Sequence, residues 1–162
     1  MFKWKKFGKI FDPTSNNSNE WMQEYAQLPF PYILNDKVIR VYFATRPKSD
    51  SDLKYISRSG YVDLDRKNLT QIINISEKPL FEIGSPGSFD EFGAMTSCFI
   101  NVGKKVYGYY TGWSRLQTVP YTMAIGLAIS SDGGDTFKKI SEGPILGQTE
   151  KEPFLLSGPK II

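Results

Sequence analysis

No histidine occurs anywhere in the 162 residues. That removes Ser-His-Asp and Cys-His catalysis, histidine-ligated metals and imidazole proton shuttles together. Cysteine occurs once, at Cys98, inside the run Ser97-Cys98-Phe99-Ile100. Such a residue reads as a buried core thiol and not as a nucleophile. A single cysteine allows no intrachain disulfide, which suits a reducing compartment, so a cytoplasmic location is expected. No apolar stretch approaches ~20 residues, and no apolar leader follows the charged N-terminus, so neither a membrane span nor a signal peptide is expected. A dominant charge is also missing. The net charge is +3 and the lysines are scattered, which argues against nucleic acid as a partner. The one basic cluster, Lys3, Lys5, Lys6 and Lys9, alternates with Phe2, Trp4 and Phe7. That alternation reads as a strand with one solvated face. No metal site and no cofactor are expected.

What the chain does have is aromatic side chains, with nine Tyr and eleven Phe set in short β-branched runs. That composition favours an all-β protein. It also has a repeat. Tyr32-Ile33-Leu34-Asn35 returns as Cys98-Phe99-Ile100-Asn101, and Val41-Tyr42-Phe43-Ala44-Thr45 returns as Tyr107-Gly108-Tyr109-Tyr110-Thr111, both 66 residues later. Ser76-Glu77-Lys78-Pro79-Leu80 returns as Ser141-Glu142-Gly143-Pro144-Ile145 after 65. A period of this length, filled with short strands, predicts four-stranded β-propeller blades. The expected organisation is an outer closing strand and linker over 1–12, blade one over 24–81, blade two over 90–146, and the first strand of a third blade over 150–162. Strands are expected near 28–34, 38–45, 54–63 and 70–75, then near 94–101, 105–112, 122–130 and 136–141. Asn35-Asp36, Val102-Gly103 and Asp132-Gly133-Gly134 punctuate the turns. Ser130-x-Asp132-x-Gly134-x-Thr136-Phe137 matches the Asp-box, a hairpin of propeller-like folds, and is expected to be structural. Two blades and a fraction leave sheet edges exposed, so a homodimer or a second chain completing the ring is expected.

The repeat also aligns three carboxylates. Glu24, Asp90 and Glu152 each stand seven residues before the matched inner-strand positions Pro31, Ser97 and Pro159. Inner strands line a propeller's axis, so their starts are expected to converge at one mouth. Carboxylates there suit glycosidic bond cleavage, one protonating the leaving oxygen and another attacking or activating water. Each has a plainer reading. Glu24 fits a solvated loop–strand junction, Asp90 a turn cap beside Gly93, and Glu152 a charged link with Glu150 and Lys151. Arg46 and Trp113 are candidates for substrate binding. Arg46 could instead pair with Asp50 or Asp52 at the surface, and one of Tyr109 and Tyr110 is expected to be core.

Several segments together resemble the five-bladed propeller glycosidases, the superfamily that includes glycoside hydrolase families 32, 43, 62 and 68. They are Trp4-Lys5-Lys6-Phe7-Gly8, Arg40-Val41-Tyr42-Phe43-Ala44-Thr45-Arg46, Gly87-x-Phe89-Asp90-x-x-Gly93, Tyr109-Tyr110-Thr111-Gly112-Trp113, Ile125-Gly126-Leu127-Ala128-Ile129-Ser130 and Glu152-Pro153-Phe154. The resemblance spans essentially the whole chain and is greatest to propeller proteins of bacterial polysaccharide gene clusters. It implies a carbohydrate substrate, no cofactor, and a chain covering about half of a complete five-bladed member. In family 43 the acids are a base Asp, a modulating Asp and an acid Glu. Asp90 resembles the second and Glu152, followed by Pro153, the third. The first departs from the pattern: Glu24 stands at the repeat-equivalent point, and the Asp-Pro of this chain, Asp12-Pro13, lies earlier, in the linker. Two function classes follow, a glycoside hydrolase-like propeller inactive as a fragment and a non-catalytic glycan-binding or protein-interaction propeller.

Overall fold

The computed structural model describes residues 2–16, 19–48 and 55–162. A one-turn helix, α1 (Pro13–Asn16), precedes two four-stranded antiparallel sheets. The first holds β1 (Glu24–Ile33), β2 (Val38–Arg46), β3 (Arg58–Asp65) and β4 (Ile72–Ile75), in chain order. The second holds β5 (Gly93–Val102), β6 (Lys105–Ser114), β7 (Thr122–Ser130) and β8 (Lys138–Lys139). The expected strands are there, most with ends moved by one to four residues. The local causes are visible. β2 and β6 carry aromatic and β-branched residues on both faces, as strands covered on both sides do. The β1–β2 turn is closed by Asn35, whose side-chain oxygen accepts the amides of Lys37 (2.8 Å) and Val38 (3.1 Å). The β5–β6 turn places Gly103 at φ +62°, a conformation that glycine adopts without steric cost.

The two sheets pack face to face through an aromatic layer. Tyr42 stacks on Phe99 with ring centroids 3.8 Å apart, and Phe81, Tyr110 and Phe137 extend the cluster. Small residues make room for the rings: Phe99 and Phe137 lie over Gly108, and the Tyr110 ring lies over Gly126. Fully burying a side chain of this size stabilises the fold by roughly 1.5–3 kcal/mol. Leu80 and Phe81, in the link after β4, are also buried in this layer. The opposite face of the first sheet buries Met22, Phe43, Val62 and Leu64 under Ile10, Phe11 and Trp21. The expected linker is therefore partly core, with Phe11 5.2 Å from the Phe43 ring.

The Asp-box is the clamp between the sheets. Ser130 Oγ donates to Asp132 (2.6 Å) and accepts the Gly134 amide (2.8 Å). Asp132 also accepts the Asp135 and Thr136 amides at 3.1 Å each and the Thr136 hydroxyl at 2.5 Å. Gly133 and Gly134 have φ of +81° and +97°. The turn so formed presents the Gly134 carbonyl to Arg40 Nη1 and to the Tyr42 hydroxyl of the first sheet, both at 3.0 Å. Arg40 is itself buried and holds Asp63 through Nε (2.7 Å) and Nη2 (2.9 Å), and Asp135 through Nη1 (2.6 Å). Burial alone opposes the guanidinium charge, but these carboxylates raise its pKa further still.

Two expectations are corrected. Residues 3–8 form no strand, and Phe2 and Trp4 stand 93% and 91% exposed. Residues 150–162 form no strand either. The reason is the same at both ends: a strand needs a neighbour for its backbone groups, and none lies alongside either segment. The C-terminal segment is instead tethered at single points, from the Leu156 amide to the Met123 carbonyl (3.1 Å) and from the Gly158 amide to Thr111 Oγ1 (3.0 Å). Cys98 is buried, as expected. No helix among the described residues is long and apolar enough to cross a membrane.

Candidate functional site

β1 and β5 run side by side, with Phe30 against Phe99 (5.7 Å) and the Tyr32 hydroxyl donating to Asn101 (2.5 Å). Their starts meet the ends of β2 and β6 at one end of the molecule. There a cleft of about 540 Å³ opens. β1 contributes Gln27 and Leu28, β2 contributes Arg46, β6 contributes Thr111 and Trp113, and Arg115 and Tyr121 stand on the loop that follows. Ser157 and Gly158 of the C-terminal tether complete the wall. The two expected substrate-binding residues, Arg46 and Trp113, are thus brought into one cleft.

The Arg46 guanidinium lies 4.7 Å from the Tyr55 ring centroid and 5.6 Å from that of Tyr25. Its Nε has no hydrogen-bond partner although it is shielded from solvent, and the same is true of Trp113 Nε1. The alternative pairing of Arg46 with Asp50 or Asp52 lies outside the described residues. β1 is irregular beside the cleft: its register against β2 shifts twice, and Tyr25 and Leu28 sit at φ +64° and +52°. Non-glycine residues in that region cost free energy and persist where the surroundings impose them. Of Tyr109 and Tyr110, one of which is expected to be core, Tyr110 is core and Tyr109 is half-buried outside the cleft.

None of the three expected carboxylates lines this cleft. Asp90 is 1% exposed and lies on the other side of the second sheet. Strand alternation places Thr111 and Trp113 on the cleft face of β6, and Tyr110 and Gly112 on the face where Asp90 sits. Asp90 accepts from Lys139 Nζ (2.6 Å), the Tyr110 hydroxyl (3.0 Å) and Ser88 Oγ (3.1 Å). Burial first, then the Asp90 charge, push the Tyr110 phenol well above its ordinary range. Glu24 opens β1 in register with Arg46, half-buried and outside the cleft lining. Glu152 is exposed in a turn, its amide bonded to Thr149. Asp12 caps α1 by accepting the Thr14 amide (3.1 Å) and pairs with Lys9 (2.8 Å). The Lys9 ammonium, then Thr14, hold its carboxyl down at about 2. Among the described residues no group of three or more His, Cys, Asp or Glu side chains could hold a metal ion.

Arg115 escaped the sequence reading, although a signal existed: it follows Trp113 by two residues, the spacing that keeps side chains on one face of a strand. Tyr55 and Tyr121 carried no such signal.

No family model matches the chain. It is 33% identical over 159 residues to the uncharacterised protein MT1551 of Mycobacterium tuberculosis (strain CDC 1551 / Oshkosh), covering 98% of this chain and 50% of that protein. The uncharacterised protein Rv1502 of strain ATCC 25618 / H37Rv matches to the same extent. The chain therefore spans about half the length of the curated relatives it matches. Among solved structures, a glycosyl hydrolase from Bacteroides ovatus superposes with a TM-score of 0.57 at 18% identity, over 78% of this chain and 34% of that one. An inferred glycoside hydrolase from Parabacteroides distasonis ATCC 8503 gives 0.58 at 18% identity, over 86% and 38%. The fold is therefore all-β, two four-stranded antiparallel sheets that match part of bacterial glycoside hydrolase structures.

Proposed function

We propose that this protein is a carbohydrate-active, glycoside hydrolase-like β-propeller portion whose cleft between the starts of β1 and β5 binds a glycan. The observation that carries this reading is the gathering of Arg46, Trp113 and the 44%-exposed Tyr121 around one cleft of sugar-binding size. An exposed aromatic face suits stacking on a sugar ring, and the guanidinium supplies hydrogen bonds in a fixed fork. None of Glu24, Asp90 and Glu152 lines that cleft, which favours binding without cleavage in this chain alone, because paired-carboxylate hydrolysis needs two acids at the bound linkage, about 5–9.5 Å apart. Glu152, whose exposed side chain is open to a substrate, is the residue of the three suited to proton donation in a complete ring. The test is calorimetric titration of the purified chain with an oligosaccharide panel, alongside release from chromogenic aryl glycosides. The expected result is glycan binding without turnover, weakened about two- to tenfold by Tyr121→Ala, the size of effect expected from losing one stacking contact. Binding that ignores Tyr121→Ala would remove the cleft from the reading. Turnover lost in Glu152→Gln would restore catalysis to the chain.

We infer also that further sheets, from a second copy or a second polypeptide, complete the ring. Phe154 at 80% exposure and Trp4 at 91% are apolar surface that such a contact would cover. Light scattering distinguishes a discrete dimer, which supports self-completion, from a monomer, which refutes it.

A further inference from the structure

The chain has five arginines. Three are ion-paired: Arg40 with Asp63 and Asp135, Arg58 with Glu82, and Arg66 with Asp36. The remaining two, Arg46 and Arg115, have no ion pair among the described residues, and both line the same cleft. No Asp or Glu lines that cleft among the described residues. Arg46 is held over Tyr55, and Arg115 lies 4.6 Å over Phe92 and 5.9 Å from the Trp113 ring centroid. Stacking occupies the flat face of a guanidinium and leaves its in-plane N–H groups for an acceptor. One further N–H group there, Arg46 Nε, is shielded from water and lacks any acceptor. Buried donors without partners are rare, since each carries its full desolvation cost, and one on a cleft wall calls for an acceptor that arrives from outside.

From this we infer that the cleft takes an anionic glycan, with the carboxylate or phosphate of an acidic sugar seated between Arg46 and Arg115. The inference rests on the glycan-binding reading above and adds the charge of the ligand. A neutral sugar hydroxyl could accept one of these bonds. Two guanidiniums line the cleft with no carboxylate among its described lining residues, and an anion both satisfies the donors and supplies the missing counter-charge. The strained positions at Tyr25 and Leu28 fit the same picture, because they bend β1 where Arg46 and the cleft wall need it.

The experiment titrates the purified chain with four probes: an oligouronide, a phosphorylated hexose, the neutral oligosaccharide of matching linkage, and inorganic phosphate. Each is measured at low and at high salt. The expected result is at least about tenfold tighter binding of one acidic sugar than of its neutral counterpart, with that preference shrinking as salt rises. Arg115→Gln should remove most of the preference and leave neutral-sugar binding within about threefold, Arg46→Gln should weaken both sugars but the acidic one severalfold more, and Arg46→Lys should retain part of the preference. Which acidic sugar binds identifies the anion as carboxylate or phosphate. Equal binding of acidic and neutral sugars, or equal loss of both in the glutamine variants, overturns the inference and leaves the glycan cleft standing. Inorganic phosphate binding as tightly as either acidic sugar overturns the glycan part of it. Failure of every sugar, with phosphate also unbound, refutes both readings.

Discussion

Replacing Arg40 tests whether the two sheets are locked by a buried ionic knot. In Arg40→Met the aliphatic stem is approximated and the guanidinium is lost. Asp63, 5% exposed, would keep only a 3.5 Å contact from Asn74 among its hydrogen-bond partners. Breaking a buried pair by removing one partner costs about 3–5 kcal/mol, because a desolvated charge is left behind. The Asp135 arm adds less than about 1 kcal/mol, since that carboxylate is 55% exposed and screened. Loss of the stack on Tyr61, where the guanidinium lies 3.5 Å from the ring centroid, adds about 0.5–2 kcal/mol. The sum falls in the range of about 3.5–8 kcal/mol, a large part of the stability of an ordinary domain. Each kcal/mol corresponds to about 2–4 °C for a chain this long, so Tm should fall by roughly 7–32 °C. Urea unfolding of Arg40→Met, Asp63→Leu and the double variant measures it. The double variant should recover most of the loss, because an apolar pair leaves no unpaired charge, and the coupling should exceed about 2 kcal/mol. A loss under about 1 kcal/mol in Arg40→Met, or strict additivity in the cycle, would refute the knot as a structural determinant.

Gly126→Ala should destabilise by about 1–3 kcal/mol in the same assay, because its Cβ would enter the ring of Tyr110, which is fully buried and tied to Asp90. The Asp-box should carry a pH signature. Burial raises the Asp132 carboxyl, but the Ser130 and Thr136 hydroxyls and the Thr136 and Asp135 amides outweigh it and hold it at about 2. A depressed carboxyl stabilises the fold above its ordinary value near 4 and loses that contribution as pH falls through about 2. Asp132 is exposed, so screening limits the contribution to roughly 0.5–1 kcal/mol. The stability gap between the wild type and Asp132→Asn should narrow by that amount from pH 6 to pH 2, and a constant gap would refute the assignment. Lys139→Met should cost about 3–5 kcal/mol by leaving Asp90 buried beside Tyr110 without its cation, and Asp90→Asn should relieve part of that loss.

Local chemistry was legible in the residues alone. Turn positions followed from Asn35, Gly103 and the Asp-box, and strand positions from aromatic and β-branched runs between them, because hydrogen bonding and φ preferences act over a few residues. The all-β class followed from the same runs, and the burial of Cys98 from its apolar neighbours. Arg46 and Trp113 both stood near the ends of matched strands, but the repeat aligns Arg46 with Gly112, so their meeting in one cleft was decided by the packing of the sheets. What the repeat could not say is which side of a strand a loop residue reaches. Asp90 aligned with Glu24 and Glu152 by count, yet the chain before β5 carries it beneath Gly112 to Lys139, on the face away from Trp113. Residues 3–8 and 150–162 had strand-like patterns but no neighbour to pair with, and pairing is a tertiary property. Arg40 looked like one more strand arginine. Only the packing of one sheet against the other, 94 residues away at Gly134, makes it the centre of a buried ionic knot.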